Sequence, residues 1–123
     1  RGKNDEVFAH WKAALLPVSE RHNVFVKLGA MPIRMPSYEG DRTLPPSSQE
    51  VAQAWRPCME TCIDAFGPAR SMYESNFPVQ KRWCSYQVCW NAFKRISSGA
   101  SAGEKTELFA AAAARAYRME SAL

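Results

Sequence analysis

No apolar run in this chain approaches the roughly 20 consecutive residues that a membrane span requires, so no membrane partner is expected. A signal-peptide pattern, with a basic start leading into an apolar stretch, is also missing, and secretion has no support. Nor is there a dense basic stripe. The 16 basic and 12 acidic residues leave a charge of +4, and only Lys81-Arg82 and Lys94-Arg95 stand as basic pairs. Dispersed, solvated charge excludes the electrostatic footprint of a nucleic-acid binder, and no nucleic acid is expected as partner. The C-x2-C spacing of zinc ribbons is absent as well. The cysteines fall at Cys58, Cys62, Cys84 and Cys89, as C-x3-C and C-x4-C. Such thiols read first as small core hydrophobes, with a disulfide or a small metal module as alternatives. Reduced thiols suit a cytoplasmic protein. No internal repeat is present, and the alanine run at 110–114 is the nearest approach to low complexity.

What is there suits a soluble globular domain: 123 residues, 46% hydrophobic and 23% charged. That length can bury a sizeable core. The chain starts at Arg1 rather than Met, which suggests a processed or trimmed chain, or part of something longer. We expect one partial domain over residues 1–123.

The first element reads as a helix. Asn4 or Asp5 can cap it, Val7, Phe8, Trp11, Leu15 and Val18 recur near helical spacing, and Pro17 should kink or end it. Residues 23–29 have the β-branched and aromatic character of a strand closed by Gly29. Alternation puts Val24, Val26 and Leu28 on one face, with Phe25 and Lys27 on the other. A lysine on so apolar a strand should point to a polar interior, a cleft or solvent. Residues 30–47 carry Pro32, Pro36, Gly40, Pro45 and Pro46 and read as a long loop, either a binding loop or a plain surface excursion.

Ser47 with Glu50 is a capping box, opening a helix whose inward residues are Val51, Ala54, Trp55, Met59, Cys62, Ile63 and Phe66. Pro57 should bend that helix, and Gly67-Pro68 should end it. A second strand follows at 71–76, with Met72, Glu74 and Asn76 on one face and Tyr73 and Ser75 on the other. A helix from about Tyr86 to Ser97 buries Val88, Cys89, Ala92, Phe93 and Ile96 and stops at Gly99. Ser101 and Glu104 form a second capping box. It opens an alanine-rich helix to about Arg118, with Leu108, Phe109, Ala112 and Tyr117 available for packing.

Alternation of this kind argues for βαβ logic: an α/β fold with two parallel strands and four to five helices. Two strands do not make a sheet that is stable alone, and their edges need partners. A homo-oligomer or the rest of a longer chain would supply them.

One succession of segments is distinctive. Asn23-Val24-Phe25-Val26-Lys27-Leu28-Gly29 leads to Trp55-Arg56-Pro57, Glu60-Thr61-Cys62 and Ala65-Phe66-Gly67. Met72-Tyr73-Glu74-Ser75-Asn76-Phe77-Pro78 comes next, then Trp90-Asn91-Ala92-Phe93-Lys94-Arg95 and Ala114-Arg115-Ala116-Tyr117-Arg118. From about Glu6 to Arg118 this resembles the carboxyl-terminal part of the amidohydrolase family related to 2-pyrone-4,6-dicarboxylate lactonase. The resemblance implies a carboxyl-terminal fragment of a (β/α)8 barrel, a fold that needs roughly 200 residues or more. It implies hydrolysis of a lactone, amide or related small carboxylic substrate. It further implies a divalent metal, zinc or similar, in some intact relatives but no cofactor held by this chain.

The sequence departs from that family in what it omits. The early His-x-His pair and the mid-barrel histidine strand are not present, which makes the isolated chain inactive by expectation. His10, on a helix, and His22, in a turn, read as surface or packing residues. Where the family's last strand commonly ends in an aspartate, this chain has Asn76. A neutral amide cannot act as a general base, though it can orient a water or a carbonyl. In a barrel Lys27 and Glu74 would lie on neighbouring strands and point into the lumen. They serve either as catalytic-site residues with Asn76 or as a structural ion pair. Arg34, Arg82 and Trp83 are the candidate substrate-binding residues, with solvated charge and core packing as their ordinary alternatives. The competing function is a non-catalytic remnant that self-associates through its strand edges and apolar faces.

Overall fold

The computed structural model describes residues 2–30 and 44–119. Its two strands, β1 (Val26–Leu28) and β2 (Ser71–Tyr73), pair in parallel with Val26 opposite Ser71, Lys27 opposite Met72 and Leu28 opposite Tyr73. Both are shorter than the composition suggested. The ladder gains one further bond, from the Glu74 amide to the Leu28 carbonyl at 3.2 Å. It then ends as the chain turns at Asn76, whose φ of 54° is left-handed. Asparagine tolerates that conformation better than most side chains.

Partners across a parallel ladder point to the same side, so the sheet has two distinct faces. Leu28 and Tyr73 face the helices and join the core. Lys27 and Met72 face the other way. Met72 is buried but stands outside the core cluster, whereas the Lys27 side chain is 49% exposed.

Helix α1 (Gly2–Ser19) begins before Asn4 and Asp5, so neither is its cap, and it runs through Pro17. Its inner stripe is Phe8, Trp11 and Leu15, with the Phe8 and Trp11 rings 5.4 Å apart. Val7 and Val18 are exposed instead of packed, because α1 rests chiefly on α2 and one neighbour covers only a narrow stripe. Arg70 ties its far end down, donating to the carbonyls of Ser19 and Arg21, both at 2.8 Å, and of Val24 at 3.2 Å.

Helix α2 (Ser48–Phe66) opens on the expected capping box: the Ser47 hydroxyl accepts from the Glu50 amide and the Glu50 carboxylate accepts from the Ser47 amide. The helix continues across Pro57 and buries Val51, Ala52, Trp55, Met59, Cys62 and Phe66. Ala54 and Ile63 are only partly buried against that core. The Gly67 amide closes the helix on the Ile63 carbonyl at 2.8 Å, and a short 3-10 turn, Pro68–Arg70, leads into β2.

A second 3-10 turn, Val79–Arg82, precedes α3 (Tyr86–Ile96). Helix α3 ends at Ile96, before Gly99 is reached. The Arg56 guanidinium crosses from α2 to accept the role of cap, donating to the Ile96 and Arg95 carbonyls at 3.3 and 3.1 Å. These are among the carbonyls that a helix end leaves without partners. The last helical segment comprises α4 (Ala102–Thr106), a π-helical turn (Glu107–Ala111) and α5 (Ala112–Ala116). Leu108 and Phe109, consecutive in the wide turn, both meet the core. Tyr117 does not pack and is 59% exposed, because α5 has already ended at Ala116.

The core centres on Phe93, which is fully buried. Tyr73 stacks on it at 4.5 Å, Trp90 meets it edge-on at 5.2 Å and Trp55 lies at 5.9 Å. The Tyr73 hydroxyl bonds that of Ser97 at 2.7 Å, which gives its one polar atom a partner inside this apolar cluster.

Candidate functional site

The carboxyl ends of β1 and β2 hold the candidate residues. Lys27 reaches across the ladder to Glu74, with Nζ 3.0 Å from Oε2. Gly29 makes this possible. A Cβ at that position would collide with the Glu74 side chain and its backbone carbonyl, so the two strand ends approach this closely only over a glycine. The glycine read as a strand terminator is thus better explained by its neighbour.

The hydrogen bond and charge of Glu74 hold the Lys27 ammonium above its ordinary value, with the Tyr117 phenol as a second contributor. Lys27 is therefore a cation at any physiological pH. It can neutralise or orient an anionic or carbonyl oxygen, but it is not a base or nucleophile. Tyr117 is the residue that sequence reasoning missed as a neighbour of this pair. No spacing rule links the end of the last helix to a strand about ninety residues earlier.

Beyond Glu74 the chain makes a compact turn. The Phe77 amide donates to the Ser75 hydroxyl at 3.3 Å, the Gln80 amide to the Asn76 carbonyl at 2.9 Å, and the Phe77–Pro78 peptide is cis. Arg82 is exposed. Trp83 is half-buried, with an indole N–H that is buried and lacks a partner among the described residues. Neither bonds to Lys27 or Glu74 among the described residues; Arg34 lies outside those residues. His10 and His22 are both exposed.

No group of three or more His, Cys, Asp or Glu among the described residues could hold a metal ion. Glu74, the nearest carboxylate to the strand ends, is already engaged by Lys27. The described residues do not by themselves fit a divalent metal. No described helix is long and apolar enough to cross a membrane.

A family model described as Amidohydrolase matches residues 1–119. The chain belongs to the amidohydrolase family. It is 34% identical over 112 residues to the uncharacterized protein y4mH of Sinorhizobium fredii, covering 91% of this chain and 34% of that one. It is 30% identical over 118 residues to the L-fucono-1,5-lactonase of Burkholderia multivorans, covering 95% of this chain and 38% of the lactonase. Crystal structures of an amidohydrolase from Burkholderia multivorans, one with bound HEPES and one with bound zinc, superpose with a TM-score of 0.75 at 29% identity. They are matched over 93% of this chain and 38% of their own chains. This chain thus spans little more than a third of the length of the relatives it matches. The expected fold class holds: an α/β portion of an amidohydrolase barrel, with two parallel strands and their helices.

Proposed function

We propose that this amidohydrolase contributes one wall of a site that hydrolyses a lactone or related small carboxylic substrate in the cytoplasm, acting as a partial domain with the rest of a barrel. In that reaction a water adds to the carbonyl carbon and the ring C–O bond breaks, leaving a hydroxy acid. Lys27 binds the carbonyl or carboxylate oxygen of the substrate. Glu74 positions Lys27, and Asn76 orients a water or the substrate carbonyl through its amide. Arg34, Arg82 and Trp83 bind the substrate alongside them. A divalent metal of the kind bound by the Burkholderia structure would supply Lewis-acid chemistry, and its donors would come mainly from outside the described residues.

The observation that carries this reading is the Lys27–Glu74 pair, 3.0 Å apart at the carboxyl ends of the strands. Active sites of such barrels are built at that end. The relationship to a lactonase supplies the substrate class. These relatives lend no support to self-association as the chain's role.

A chimera tests the proposal. The amino-terminal part of the Burkholderia lactonase would be joined to this chain and assayed on L-fucono-1,5-lactone. Lactone opening is expected, and Lys27→Met should lower kcat/KM by about 10²-fold, the scale for loss of one preorganised donor at a developing oxyanion. A chimera that folds, shown by circular dichroism and native mass, but opens no lactone would sink the reading.

A further inference from the structure

Two of the four cysteines stand at positions with a defined geometric relation. Ser85 is the N-cap of α3, its hydroxyl accepting from the Val88 amide at 3.1 Å. Cys84 is therefore the residue before the cap, and Cys89 is the fourth residue of the helix. Side chains at those two places meet across the first helical turn, the arrangement known as a hydrophobic staple. Here both staple residues are thiols. They are 4% and 0% exposed, and neither is in a disulfide. The Cys89 sulfur also lies 4.0 Å from the Ser75 carbonyl oxygen, between Glu74 and Asn76 in the chain. The staple thus sits directly under the turn that follows the strand ends.

We propose that Cys84 and Cys89 form a modification site, a thiol pair that a small-molecule disulfide converts into an intramolecular disulfide clamping the 75–85 segment to α3. The Cys84 thiolate attacks one sulfur of the reagent, forming a mixed disulfide and releasing one thiolate. The Cys89 sulfur then attacks the Cys84 sulfur of that mixed disulfide, its proton passing to the departing second thiolate. One S–S bond forms within the protein and one breaks in the reagent, which takes up the two electrons and is reduced to two thiols.

The pair is differentiated for these roles. A hydrogen bond from Cys89 lowers Cys84 from the usual thiol range, while sharing that bond raises Cys89. The attacking thiol is the one with more thiolate character. The other pair behaves differently. Cys58 and Cys62 lie one turn apart on α2, where burial pushes both up, Cys62 to about 11.

The test uses the 123-residue chain as it is. It is incubated with 2-hydroxyethyl disulfide at mildly alkaline pH, then denatured, alkylated and digested with trypsin. Both staple cysteines fall in the peptide from Trp83 to Lys94. That peptide is expected to lack two hydrogens and to carry no alkyl group, while Cys58 and Cys62 are alkylated. Alkylation of both Cys84 and Cys89, or a Cys58–Cys62 linkage formed in their place, overturns the proposal. A Cys89→Ser chain should stop at the mixed disulfide on Cys84. If that adduct appears on Cys58 or Cys62 instead, Cys84 is not the attacking thiol.

Discussion

The two faces of the β1–β2 sheet are built on different principles. The helical face is closed: Leu28 and Tyr73 meet Trp55, Phe93 and Phe109, and the hydroxyls of Tyr73 and Ser97 bond one another. The opposite face carries Lys27, half exposed and tied to Glu74, beside the buried Met72. A packed aromatic core has fixed, interdigitated neighbours and resists change. A partly exposed ion pair adds little to stability and much to local potential. The contrast separates the part of the chain that supports the fold from the part that can meet a ligand.

Breaking the helical face should have the largest effect. Phe93→Ala removes the ring on which Tyr73, Trp90 and Trp55 converge, leaving a cavity that rigid neighbours cannot fill. A loss of about 3–5 kcal/mol is expected from such a truncation, read as a fall in the urea midpoint. If Phe93→Ala and Lys27→Met moved that midpoint equally, the distinction between the faces would fail.

The helical face was the more legible of the two in the sequence, for a physical reason. Capping boxes at Ser47 and Ser101 and the apolar spacing of Val51, Trp55, Met59 and Phe66 are local signals, decided by residues three or four positions apart. The strand parity that separates Lys27 from Leu28 is equally local. Contacts set by the tertiary path were not legible. Tyr117 looked like a packing residue, but the π-helical turn upstream and the early end of α5 leave it exposed beside Lys27. Val7 and Val18 fit a helical stripe yet face solvent, because the stripe that forms depends on how many neighbours α1 has.

Gly29→Ala sharpens the comparison at the junction of the two faces. The added methyl meets the Glu74 carbonyl as well as its flexible side chain, so backbone must move. About 1–3 kcal/mol is expected, the range for overpacking a tight site, and the Lys27–Glu74 contact should be lost with it. An alanine chain as stable as the parent would show that the approach of the two strands is not tight. Tyr73→Phe is milder. It removes the hydroxyl bonded to Ser97, while the Ser97 hydroxyl keeps its bond to the Phe93 carbonyl at 2.9 Å. A thermal-denaturation loss of about 1 kcal/mol is expected, the net worth of one buried hydrogen bond. A loss several times larger would mean that this hydroxyl pair, rather than the aromatic stack, organises the closed face.

The smallest effect should come from the exposed face and should depend on pH. Folding raises the Lys27 pKa above its ordinary 10.5, chiefly through Glu74. A group whose pKa rises on folding binds its proton more tightly in the folded state. Its stabilising contribution is complete below the unfolded value and disappears as pH rises through the folded one. The difference in thermal midpoint between the parent and Glu74→Gln should therefore be small and constant from neutral pH up to about 10, then shrink at higher pH as the lysine discharges. Added salt should reduce it as well, since the pair is open to solvent. A difference that persists undiminished well above the lysine range would mean that Glu74 acts through its backbone turn and the approach to Gly29. In that case its role would be to shape the edge, and the charge beside it would be incidental to the fold.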